Sequence, residues 1–160
     1  MANELDMAKA KRTYETVCRI LDKMDLKYNR HDDDLIVTLG HKGKDLKHDL
    51  LIRVNAEKTA LTIIEQLPFD IDSDHALDIC VAICALNKNL LCGRFDYTFD
   101  KKLFFAMSQF CDGIEIPEEL VKRMLMSHAA TVEEYDDKLF SLNKGHIKLT
   151  DFLTELEKED

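Results

Sequence analysis

From Glu4 to Leu26 the apolar residues Ala10, Tyr14, Val17, Cys18, Leu21 and Met24 recur at spacings of three and four, with Lys, Arg, Glu and Asp on the other faces. This period predicts an amphipathic helix. Asn3 is its candidate N-cap, and Glu4 and Asp6 lie in the first turn, where the helix dipole favours negative charge. After the polar break of Asn29 to Asp34 the period falls to two, so Leu35, Val37 and Leu39 predict a half-buried strand. A loop from Gly40 to Lys47 leads to a second strand through Leu50, Ile52 and Val54. Asn55-Ala56-Glu57-Lys58 has the length of a hairpin turn, and a third strand follows from about Thr59 to Leu67. Pro68 and the polar stretch Asp70 to Asp74 are expected to end it, because proline cannot donate to a sheet ladder.

The stretch Asp74 to Asn89 carries Ala76, Leu77, Ile79, Cys80, Val81, Ala82, Ile83, Cys84 and Leu86, too many apolar residues for one stripe. It predicts a helix buried on most sides. Gly93 opens a strand with Phe95, Tyr97 and Phe99 on one face, and Asp100-Lys101-Lys102 turns it into a partner strand with Leu103, Phe105 and Met107. Pro117, Glu118 and Glu119 start a long helix reaching about Leu142, with Thr131 a candidate kink and Gly145 a candidate left-handed cap. Thr150 and Asp151 open a last short helix carrying Phe152, Leu153 and Leu156. The fold class is α+β: an antiparallel sheet of about five strands packed with helices in the order α-β-β-β-α-β-β-α-α, in one domain over residues 1–160.

The period-two bookkeeping also says what lies on the far side of the sheet. If Leu35/Val37/Leu39, Leu50/Ile52/Val54, Leu61/Ile63, Phe95/Tyr97/Phe99 and Leu103/Phe105/Met107 face the helices, the opposite face receives Ile36, Leu51, Ile64 and Phe104 among Thr38, Arg53, Thr62, Asp96 and Thr98. One large apolar residue per strand on that side is the pattern of a partner or dimer interface, or of a face covered by the C-terminal helices. Ile36, Leu51, Ile64 and Phe104 are the candidate interaction residues.

Twenty-two Lys and Arg against 31 Asp and Glu give a net charge of −9, which repels phosphate backbones and anionic lipid, so neither nucleic acid nor a membrane is an expected partner. The longest apolar run, Ile79 to Leu86, is far short of the roughly 18 to 20 residues of a membrane span. Five cysteines and a polar N-terminus place the chain in a reducing cytoplasm.

Catalytic and metal-binding chemistry finds little support. Asp70, Asp72 and Asp74 alternate like calcium-loop ligands, but His75 stands where the turn needs glycine and Val81 where the bidentate glutamate belongs. Cys80 and Cys84 share a helix face, yet among Ile, Val and Leu they read as small core hydrophobes. Gly40 to Asp45 lacks phosphate-loop spacing and joins two strands. The six histidines are dispersed, and His128 reads as a partly buried packing residue. No catalytic, cofactor or metal residues are assigned.

Leu86-Asn87-Lys88-Asn89-Leu90-Leu91-Cys92-Gly93-Arg94-Phe95, followed by Asp100 and Leu103-Phe104-Phe105, resembles the YbjN family, which is similar in fold to type III secretion chaperones. Val132 to Leu139 through Gly145 resembles that family's helix with a Tyr, Leu and Gly pattern and a short helix after it. The resemblance implies an α-β-β-β-α-β-β-α sandwich used for protein interaction, and no catalytic residues. The expected function is therefore a non-enzymatic protein-interaction module of chaperone-like or regulatory character, cytoplasmic and bacterial, with a protein partner or a second copy, a homodimer, as its ligand. The alternative is an enzyme or small-ligand-binding protein without a recognisable motif.

Overall fold

The computed structural model describes residues 4–42, 47–111 and 116–158; Asn3 and most of the loop expected after Gly40 lie outside them. Helix α1 (Glu4–Lys23) buries Ala10, Tyr14, Val17, Cys18 and Leu21 as its period requires, together with Ile20. It stops short of Leu26 because Asp25 takes a left-handed conformation (φ 55°).

Among the described residues six strands follow where about five were expected. The additional one, β1 (Asn29–His31), is exposed throughout and pairs antiparallel with β2 (Ile36–Lys42). It lies within the stretch read as a polar break, since an edge strand with no buried side chain has no apolar alternation to reveal it. Leu35 is buried but left-handed (φ 54°), so β2 begins one residue later than predicted; the Leu35 carbonyl still accepts from the Val54 N–H at 3.0 Å.

Strands β3 (Lys47–Asn55) and β4 (Ala60–Asp70) complete a meander around the Asn55 turn. Pro68 does not end β4. Pairing of β4 with β3 stops at Gln66, and its register with β6 (Lys102–Phe110) breaks between Gln66 and Asp70 before resuming at Asp70 and Lys102. Pro68 falls inside that irregularity, where no ladder N–H is needed.

After a short 3-10 turn at Ser73–His75, helix α2 (Ala76–Asn89) crosses to β5 (Arg94–Tyr97), which pairs with β6. The strand order is β1-β2-β3-β4-β6-β5, every neighbour antiparallel. Helix α3 (Glu118–Asn143) runs unbroken through Thr131, and α4 (Leu149–Lys158) closes the described chain.

All four helices lie on the face of the sheet carrying Val37, Leu39, Leu50, Ile52, Ile63, Leu103 and Phe105. The core is in two clusters. One joins α1 and the start of α3 to β2, β3 and β4; the other joins α2, α4 and the rest of α3 to β4, β5 and β6. Helix α3 belongs to both.

Two expectations about apolar residues fail here. Helix α2 buries Ile79, Ala82, Ile83 and Leu86, but Leu77 (76% exposed), Val81 (39%) and Cys84 form an outward stripe, so the helix has one buried side. Phe99 lies beyond the end of β5 in the hairpin turn and is fully exposed. Its even spacing from Phe95 and Tyr97 carries no information once the strand has ended.

Candidate protein-interaction surface

The sheet face turned away from the helices is built by the register. Thr38, Leu51, Ile64 and Ala106 form one transverse row, and Gly40, Asp49, Gln66, Phe104 and Asp96 form the next. Gly40 contributes no side chain to its row. A hollow of about 470 Å³ opens there, floored by Leu51, Ile64 and Phe104 and edged by Asn29, Asp49 and Gln66.

The structure thus gathers three of the four residues singled out from sequence. Leu51 faces Ile64 across the β3–β4 pairing, and Phe104, opposite Gln66, lies diagonally beside Ile64 on β6. Ile36, opposite Arg53 in the neighbouring row, is outside the hollow. All four are half-buried, and the C-terminal helices pack on the other face. Sequence reasoning passed over Gly40; the available signal was a glycine inside a strand, which often marks a close approach to the sheet. The polar edge residues carry no sequence signal of their own.

Charged pairs lie at both edges of the sheet. Arg94 and Asp96 pair at 2.8 Å near the β5 edge. At the β1 edge, Tyr14 donates to Asp32 (2.9 Å), which also receives Arg30 Nε (2.8 Å). Burial and the Asp32 hydrogen bond push the Tyr14 phenol up to about 12. The Arg30 and Tyr14 hydrogen bonds hold the Asp32 carboxyl below the usual carboxylate range. These contacts tie α1 to the β1–β2 hairpin.

On the helix side, Glu65 of β4 and His128 of α3 are fully buried, with Oε2 3.3 Å from Nδ1. His128 is therefore more deeply buried than its sequence context suggested. This is an acid beside a potential base, but the pair is sealed from solvent and faces away from the hollow. Asp70 and Asp72 each meet a lysine, Lys102 and Lys144 respectively, the latter pair at 2.9 Å. Cys80 is half-buried and Cys84 and Cys92 are exposed, whereas Cys18 and Cys111 are buried. No group of three or more His, Cys, Asp or Glu able to hold a metal ion occurs among the described residues, nor is any described helix long and apolar enough to cross a membrane.

An antiparallel sheet backed by helices on one face, with no described helix on the other, defines an α+β scaffold with an apolar hollow in its second face. The chain belongs to the YbjN family: that family's model, described as a "putative bacterial sensory transduction regulator", matches residues 13–141. Among solved structures, YbjN from E. coli is similar at 13% identity and a TM-score of 0.59, over 80% of this chain and 89% of that one. A chain of the ExsC-ExsE complex is similar at 12% identity and a TM-score of 0.56, over 76% and 90%. The shared fold is the one that the family resemblance implied. No curated protein matches the chain.

Proposed function

We propose that this chain is a non-enzymatic protein-interaction module of chaperone-like or regulatory character, acting in the bacterial cytoplasm as one domain over residues 1–160. Its partner is received on the sheet face turned away from the described helices. The observation that carries this reading is the hollow floored by Leu51, Ile64 and Phe104, an apolar concavity on a face that no described helix covers. Membership in a family described as regulatory supports it, as does the likeness to a chain solved within a two-protein complex.

Affinity capture from the native cell with mass spectrometry, repeated with Leu51→Ser/Phe104→Ser, tests the reading. A partner retained by the wild type and lost by the variant is the expected outcome. Retention by both proteins, with the variant still folded, moves the binding surface elsewhere.

Homodimerisation is a second reading, and the outward stripe of α2 favours it: Leu77, Val81 and Cys84 recur at helical spacing with nothing from the described chain over them. Sedimentation of Leu77→Lys tests it; a dimer in the wild type that becomes a monomer in the variant is expected.

A further inference from the structure

Helix α2 and the turn before it present one exposed seam. Asp74, Leu77, Val81, Cys84 and Lys88 are all exposed and follow one another at spacings of three, four, three and four. That is the spacing by which one helix lies along another. Asp74 stands in the 3-10 turn, where a step of three keeps it on the face of Leu77. Ile79, Ala82, Ile83 and Leu86 occupy the opposite, buried side. Among the described residues neither Asp74 nor Lys88 has an ion-pair partner, although nearby Asp78 lies 3.8 Å from His75.

The seam is its own complement when reversed. Two antiparallel copies centred on Val81 set Asp74 of each against Lys88 of the other and Leu77 against Cys84. An acidic end then meets a basic end at both ends of the contact, with the apolar residues between them. Parallel copies would instead oppose Asp74 to Asp74 and Lys88 to Lys88.

Resting on the homodimerisation reading and giving it a geometry, we infer that a second copy of this chain packs its α2 antiparallel on this seam, about a two-fold axis at Val81. Every contact of a two-fold interface recurs with the copies exchanged, so each ion pair forms twice. The antiparallel arrangement also sets the two helix dipoles head to tail. The exchange of charge from one end of the seam to the other is what singles out a second copy over an unrelated helix. Because α2 belongs to the helix layer, this pairing leaves the hollow floored by Leu51, Ile64 and Phe104 open in both copies.

Sedimentation equilibrium of the full chain and its charge-reversed variants provides the test, with circular dichroism to confirm each fold. The wild type should dimerise. Asp74→Lys and Lys88→Asp should each weaken the dimer about tenfold, because each turns two attractive contacts into two repulsive ones. Asp74→Lys/Lys88→Asp should recover most of the wild-type affinity, since the two ends have then exchanged charge. If the double variant loses its fold, an equimolar mixture of the single variants tests the same contacts, each being opposite in charge to the other at both ends. Single variants that dimerise like the wild type would overturn the inference, as would a double variant or mixture that shows no recovery. If Leu77→Lys dissolves the dimer while the charge reversals leave it intact, the antiparallel register fails and the homodimerisation reading survives. A monomeric wild type, or a dimer untouched by Leu77→Lys, overturns both.

Discussion

A Cβ placed on Gly93 would stand 2.6 Å from Cζ of Phe105 and 2.7 Å from Cγ of Met107. Gly93 is also left-handed (φ 80°), so its backbone and its surroundings both require glycine at the entry to β5. Gly93→Ala should cost about 2 to 4 kcal/mol, combining roughly 1 for the left-handed alanine with about 1 to 3 for overpacking. Urea denaturation measures it; a change below about 1 kcal/mol would mean that β5 can shift away from β6.

Glu65 and His128 invite a different substitution series. His128 lies tilted against Phe105 (centroids 4.9 Å apart) and places Nε2 3.4 Å from the Phe105 carbonyl, so that ring nitrogen is the donor there. His128→Leu leaves a carboxyl buried without its imidazole and should cost about 3 to 5 kcal/mol. Glu65→Leu/His128→Leu should cost clearly less than the sum of the single changes, because removing both polar groups leaves neither one buried without the other. A double-mutant cycle by denaturation decides this, and strict additivity would show that the pair is not coupled.

Two neighbours on α2 should behave oppositely. Ile83 is buried and Ile83→Ala should cost about 2 to 5 kcal/mol, whereas Val81→Asp, on the outward stripe, should cost about 1 kcal/mol or less. Thermal unfolding of both proteins tests the orientation of the helix. Equal damage would mean that the outward stripe is packed.

Tyr14 sets an alkaline limit. Its folded-state value of about 12 lies above the ordinary 10.0, so the folded protein keeps a proton through a range in which the unfolded chain releases it. The resulting stability is complete below about pH 10 and is lost as the pH rises to about 12. Tyr14→Phe should lower stability by about 1 kcal/mol at neutral pH and flatten the decline above pH 10. Denaturation of both proteins from pH 8 to 12 shows whether their difference shrinks as expected. Asp32 works in the other direction: its lowered value contributes stability above the ordinary carboxylate range, lost as the pH falls through the folded value.

The elements with one buried face were the ones legible in the sequence. Val37, Leu39, Ile52 and Ile63 alternate because the helices lie on one side of them, and α1 shows a helical stripe for the same reason. Alternation also placed Ile36, Leu51, Ile64 and Phe104 on the opposite face, but it cannot say which residues adjoin across strands. That depends on register, which gathers Leu51, Ile64 and Phe104 and leaves Ile36 aside. β1 was invisible because its residues bury nothing, and Pro68 misled because the irregularity that accommodates it is a property of pairing with β6. Hydrophobicity alone misplaced Leu77, Val81 and Phe99, since an apolar side chain is not thereby a buried one.

The double membership of α3 bears on how the molecule comes apart. Val121, Met124 and Leu125 anchor its first half to one apolar cluster, and Val132, Tyr135, Leu139 and Leu142 anchor its second half to the other. A single rigid rod seated in both cores leaves neither able to melt alone, because releasing one half levers out the other. Two clusters that would otherwise behave as separate cooperative units are thereby coupled into one, with β2, β3, β5 and α4 sharing the fate of the helix that spans them.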